Sequence, residues 1–223
     1  MLNRLRGAMT RLFTPVARAL LKAGVSPDAV TFTGTLVVVV AALWAFPTGH
    51  LLAGTLVIAV FALTDSLDGV MARQAGRSGP WGAFLDSTLD RLGDAAIFGG
   101  LVLWFFGDGD DRLAAVLALA CLVLGSVVPY ARARAEGLGM TASGGIAERA
   151  DRLLLVLLAT GLVGFGLPLV VLQVVLALLA VASAITVVQR MAKVRRQALA
   201  LAAAVPGPGP DDGSPAHAEG DGA

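Results

Sequence analysis

Four aspartates, Asp65, Asp68, Asp86 and Asp90, are the residues of this chain best suited to chemistry. They fall in the stretch DSLDGVMAR, eight residues, then GAFLDSTLD, at spacings of three and four. The segments carrying them are otherwise apolar, and charged groups at membrane depth are costly enough to be functional and paired. Four acids so close together call for a cation. An all-oxygen donor set selects a hard ion, Mg²⁺ or Mn²⁺ over Zn²⁺. Four carboxylates in a small volume suit two ions about 4 Å apart, the arrangement of phosphoryl-transfer centres. The residues alone also allow a polar seam between helices or an ion-transport path. His50 and His217 are too far apart to build a His-based site. Asp94, one turn beyond Asp90 and close to Arg91, reads as a supporting residue rather than a ligand.

The elements that hold these acids are helices. Asp65 and Asp68 share one helix face and Ala72 continues it; Asp86 and Asp90 share a face of the next helix. The short loop Gln74 to Pro80 makes the two helices antiparallel neighbours. Asp65 and Asp90 then lie about 12 Å from that loop, so all four carboxylates can face one shallow cavity. Gly69 and Gly82 remove side chains beside it, where a ligand or a backbone can come close. Thr64, Ser66, Ser87 and Thr88 add further oxygens.

The whole chain has the composition of an integral membrane protein: 57% of its 223 residues are hydrophobic, 15% are charged, and mean hydropathy is +0.79. Spans of roughly 20 apolar residues are expected at about 29–46, 51–73, 82–106, 111–135, 149–165 and 168–192. The expected fold is all-α, with six transmembrane helices preceded by an N-terminal amphipathic interfacial helix. Arg and Lys crowd one side of this arrangement: residues 4–22, Arg73 and Arg77, Arg132 to Arg152, and Arg190 to Arg196. Only Arg112 falls on the other side. The positive-inside rule places both termini and the acid cluster at the cytoplasmic face of the cell membrane.

Residues 1–22 alternate Leu, Met, Phe and Val with Arg at helical spacing, which fits a helix lying in the interface and excludes a signal peptide. Residues 23–200 form the membrane domain. Residues 201–223, poor in large apolar side chains, read as a disordered cytoplasmic tail. The lone Cys121 reads as a small core residue. A net charge of +1 gives no reason to expect nucleic acid as a partner.

Asp65-x-x-Asp68-Gly69-x-x-Ala72-Arg73, eight residues, Gly82-x-x-x-Asp86-x-x-x-Asp90 resembles the full signature of the CDP-alcohol phosphotransferase family. Membership implies a CDP-linked lipid attacked at phosphorus by an alcohol, with CMP leaving. The resemblance implies metal at Asp65, Asp68 and Asp86, with Asp90 as the base for the acceptor hydroxyl and a contact to the second of two Mg²⁺ ions. It also implies CDP-lipid contacts at Gly69, Ala72, Arg73, Gly82 and the segment Asp28, Ala29, Val30, Thr31, with Ser78 a further candidate. Two divalent cations would neutralise the pyrophosphate and the charge developing on it.

The signature does not name the acceptor. Arg132 and Arg134 end the fourth span, Arg149 and Arg152 open the fifth, and Arg190 ends the sixth. Arg at cytoplasmic ends is expected from topology alone. A cluster near the metals would instead suit a phosphorylated acceptor. The ARAE…GG…ER..RL arrangement resembles the actinobacterial phosphatidylinositol-phosphate synthase branch of the family, which implies CDP-diacylglycerol and inositol phosphate as substrates and a homodimer in the membrane lipid. Glycerol 3-phosphate as acceptor is the competing reading within the family. A cation transporter is the competing class, disfavoured because no internal repeat is visible.

Overall fold

The computed structural model describes residues 13–62, 64–76, 79–146 and 148–204, with residues 64–66 and 204 described by backbone only. Eight helices run through them: α1 (13–22), α2 (Pro27–Ala45), α3 (Leu51–Ala62), α4 (Thr64–Gln74), α5 (Pro80–Phe106), α6 (Arg112–Glu136), α7 (Arg149–Gly164) and α8 (Val170–Ala204). No strand occurs among the described residues.

Local sequence sets where the helices start. Ser26 caps α2 by accepting the Ala29 N–H at 3.1 Å, Pro27 occupies the first turn, and Asp28 complements the helix dipole. Gly79 and Pro80 open α5. Asp111 caps α6 by accepting the Ala114 N–H at 3.0 Å, and its other oxygen accepts from Gln173 of α8.

The apolar core gathers Phe46, Ile58, Phe98, Leu101, Phe105, Val156, Leu172 and Leu176 from α3, α5, α7, α8 and the end of α2. Two glycines set the closest approaches. A Cβ at Gly100 would run into the Ala42 carbonyl of α2, and one at Gly164 into the Leu52 backbone of α3. Large apolar residues such as Leu36, Val40, Leu119, Val123, Leu178 and Val181 cover the outside. Such a surface suits lipid, where small residues let helix backbones meet.

Four stretches are long and apolar enough to cross a membrane: Pro27–Ala45, Leu51–Gln74, Arg112–Glu136 and Val170–Ala203. The chain is thus an all-helical, multi-pass membrane protein. α5 and α7, the other two expected spans, differ for visible reasons. The first half of α5 carries Asp86, Asp90, Arg91 and Asp94, and only 95–106 is uniformly apolar. α7 has 16 residues and opens on Arg149, Asp151 and Arg152.

The described part of α1 packs Phe13, Ala17, Leu20 and Leu21 beside Leu67, Val70 and Met71 of α4, while Arg18 and Lys22 are exposed. Residues 1–12 and 205–223, which complete the expected N-terminal helix and tail, lie outside the described residues. α8 runs to Ala204, past the tail boundary expected at 201, because Lys, Arg, Gln, Ala and Leu are strong helix formers. Its C-terminal part holds the loop after α6 at four points along one face. Gln197 bonds Thr141, Lys193 Nζ donates to the Ser143 carbonyl, Arg190 Nε donates to the Gly144 carbonyl, and Thr186 accepts the Ile146 N–H.

Candidate functional site

Several of the residues expected to bind CDP or metal line a cavity of about 300 Å³ where α2, α4 and α5 meet. Asp28, Thr31, Asp68, Gly69, Ala72, Arg73, Gly82 and Asp86 line it. The i, i+3, i+4 spacing on α4 is what turns Asp68, Gly69, Ala72 and Arg73 towards one space. Arg73 folds back over Gly69, where a Cβ would lie 3.6 Å from its Nη1. Thr31 Oγ1 donates to Asp68 Oδ2 at 2.5 Å and ties α2 to α4. Trp81 Nε1 donates to Asp28 Oδ2 at 3.0 Å and ties α5 to α2. Trp81 was not legible as a site residue, since nothing in its sequence neighbourhood points to Asp28.

Two residues of the expected α2 contact segment do not line this cavity. Ala29 is exposed and serves the helix cap, and Val30 packs towards α1. Ser78 and the Asp65 side chain lie outside the described residues.

Asp68 also borders a second, larger cavity of about 750 Å³ that runs between α2, α3, α5 and α7. Asp90 and Arg149 line it beside Asp68, and Leu52, Leu162 and Phe165 line its far end. Its walls are largely apolar. A polar chamber and an apolar channel therefore share one carboxylate.

The acids are crowded. The negative charge of Asp86 bears on both Asp68 and Asp90. Asp68 is buried, and the Thr31 hydroxyl that donates to it is neutral. Asp86 repels both Asp68 and Asp90, and carboxylate oxygens suit a hard divalent cation, although among the described side chains no three acids are grouped closely enough to hold one ion by themselves.

The arginines divide into two sets. Arg149 Nη1 pairs with Asp90 Oδ1 at 2.8 Å, and its Nε with Asp94 Oδ1 at 3.0 Å. Arg91 Nη2 sits 3.6 Å from Asp90 and 3.8 Å from Asp94. Arg152, 2% exposed, lies 3.8 Å from Asp94 and donates Nη2 to the Gly125 carbonyl at 3.3 Å. Arg190 is buried and donates to the carbonyls of Gly144 and Val128. Arg132 and Arg134, by contrast, are exposed, and Arg132 pairs with Glu136 one turn away on α6. The structure therefore gathers Arg149 and Arg152 around Asp90 and Asp94, buries Arg190 against α6, and leaves Arg132 and Arg134 at the surface. Asp94 proves to be the carboxylate that three arginines share.

The CDP-alcohol phosphatidyltransferase family description matches residues 24–186, which contain every described element of the site except the end of α8. The chain belongs to the CDP-alcohol phosphatidyltransferase family. Like other members of this family, it is a transferase, and its signature acids occupy α4 and α5. A phosphatidylinositol phosphate synthase of Cutibacterium acnes is 50% identical over 203 residues, 88% of this chain and 98% of that protein. One from Streptomyces avermitilis is 47% identical over 205 residues, 89% and 84% of the two chains. The crystal structure of Mycobacterium tuberculosis phosphatidylinositol phosphate synthase with CDP-DAG bound superposes with a TM-score of 0.80 at 45% identity, covering 82% of this chain and 94% of that one. The same enzyme in complex with manganese and citrate gives a TM-score of 0.79 at 45% identity, covering 82% and 88%.

Proposed function

We propose that this transferase moves the phosphatidyl group of CDP-diacylglycerol to inositol phosphate (1D-myo-inositol 3-phosphate), yielding phosphatidylinositol phosphate and CMP. The observation that carries a phosphorylated acceptor is the pair of buried guanidiniums, Arg152 and Arg190, bound to backbone carbonyls one turn apart on α6, and the choice of inositol phosphate over glycerol 3-phosphate rests on the named function of the relatives. Carbonyls satisfy donors without cancelling charge, and Arg91, Arg149 and Arg152 share the two carboxylates of Asp90 and Asp94, so this region keeps a positive surplus suited to a phosphate. The named function of relatives at 47–50% identity supports the same reading.

In this reading the cytidine diphosphate lies in the polar chamber, near Asp28, Thr31, Gly69 and Arg73, and an acyl chain lies in the apolar channel. Asp65, Asp68, Asp86 and Asp90 would hold divalent metal, two Mg²⁺ ions with Mn²⁺ as an alternative. When bound there, such a metal would supply positive charge to offset the pyrophosphate and the charge developing on CMP. Asp68, fixed by Thr31, is held ready for that role without rearrangement. Asp90 accepts the proton of the acceptor hydroxyl, whose oxygen bonds to the phosphatidyl phosphorus as the bond to CMP breaks. Arg149 orients Asp90, and an incoming phosphate competes for Arg149 and frees the carboxylate. Arg152 and Arg190 bind the acceptor phosphate and align its hydroxyl. Arg132, though exposed, is close enough for its charge to bear on Arg190, and Arg134 is exposed near the same end of α6.

The same reading places six spans in the cell membrane with both termini cytoplasmic, α5 and α7 completing the set, and a homodimer as the working unit. The test supplies purified protein with CDP-diacylglycerol, inositol phosphate and Mg²⁺ and follows CMP. Release of CMP that needs both the acceptor and the metal is expected. Metal-independent release, or none with any acceptor, would overturn the proposal.

A further inference from the structure

We propose that Pro129 is a positioning residue for the acceptor site: by withholding an amide N–H from Gly125, it leaves that carbonyl to hold the Arg152 guanidinium. The inference rests on the acceptor role proposed for Arg152.

In an α-helix each carbonyl accepts the N–H four residues on. The partner of the Gly125 carbonyl would be residue 129, and there α6 carries an internal proline, which has no N–H. Gly125 is buried, so water does not readily supply the missing donor. Arg152 supplies it, Nη2 to oxygen at 3.3 Å. Gly125 also makes the room. A Cβ there would stand 3.6 Å from Nε and from Nη2, so the guanidinium lies directly over this residue. The Val128 carbonyl, three residues on and on the same face, accepts from Arg190. One turn of α6 thus presents acceptors to both buried arginines, and the proline frees the Gly125 acceptor.

A proline inside a helix otherwise lowers stability, so its removal should not weaken the fold. Where alanine replaces it, the new N–H satisfies Gly125 within the helix and Arg152 loses this one of its acceptors. The test uses the full chain in lipid nanodiscs with CDP-diacylglycerol, Mg²⁺ and inositol phosphate. Pro129→Ala is expected to raise the acceptor KM about tenfold, leave the CDP-lipid KM unchanged and leave the melting temperature equal or higher. Pro129→Gly, which also restores the N–H, must move the acceptor KM the same way. Arg152→Ala alone should raise the acceptor KM, and adding Pro129→Ala to it should change nothing more, because both act through one contact. An unchanged acceptor KM in Pro129→Ala, with Arg152→Ala impaired, overturns this inference and leaves the acceptor site standing. So does an equal effect of Pro129→Ala with and without Arg152. A silent Arg152→Ala overturns the acceptor assignment itself, and this inference with it.

Discussion

Asp94→Asn is the sharpest single perturbation of the charge cluster. The substitution keeps the size of the side chain and one acceptor oxygen for Arg149, and removes only the charge. Asp94 faces Arg149 at 3.0 Å and Arg91 and Arg152 at 3.8 Å each, with 9% of its side chain and 2% of that of Arg152 exposed. At 3.8 Å and an effective dielectric of about 20, one such pair is worth about 4 kcal/mol of Coulomb attraction. After desolvation and relaxation, removing one partner of a buried pair costs about 3–5 kcal/mol, because the remaining charge is stranded. A chain of this size loses about 2–4 °C of melting temperature per kcal/mol, so the midpoint should fall by about 10 °C. Thermal unfolding in detergent measures it, with and without inorganic phosphate. Phosphate should restore more of the midpoint in Asp94→Asn than in the wild type, since an anion can replace the lost charge. A midpoint equal to that of the wild type would refute the argument that Asp94 balances the arginines.

Asp68→Asn and Asp86→Asn should each lose Mn²⁺ binding, measured calorimetrically, together with CMP release; Asp90→Asn should abolish turnover while keeping most of the affinity for CDP-diacylglycerol. Thr31→Val removes the 2.5 Å bond to Asp68. A charge-assisted bond of this kind is worth about 1.5–3 kcal/mol, so kcat/KM for the CDP-lipid should drop at least about tenfold, read from CMP release. Gly164→Ala puts a methyl against the Leu52 backbone and should lower the melting temperature by the equivalent of about 1–3 kcal/mol, α3 and α7 being forced apart.

The half of the site built on α4 and α5 was legible from helical spacing together with the family signature, since Asp68, Gly69, Ala72, Arg73, Gly82 and Asp86 line one cavity, whereas Asp90, expected in that cavity, lines the larger one. The arginine half was not. Arg134 and Arg152 look alike in sequence, each near one end of an apolar helix, yet one is exposed and the other 2% exposed. What separates them is tertiary: Arg152 has an open carbonyl at Gly125 and a carboxylate at Asp94, and no local pattern announces either. Helix boundaries came within a few residues except at α8. There the spanning-length argument stops at residue 192, but helix propensity and the contacts of Lys193 and Gln197 carry the helix on. Trp81 shows the same limit, since its bond to Asp28 crosses 53 residues of chain.

Side-by-side kinetics with inositol phosphate and glycerol 3-phosphate, at saturating CDP-diacylglycerol and Mg²⁺, test the central claim most directly. Both acceptors carry a phosphate for the buried arginines, so only the remainder of the pocket separates them. The account predicts a kcat/KM for inositol phosphate at least about a hundredfold higher, the scale on which a site built for several hydroxyls rejects a smaller analogue, with phosphatidylinositol phosphate as the product by mass spectrometry. Turnover with glycerol 3-phosphate and none with inositol phosphate would contradict it.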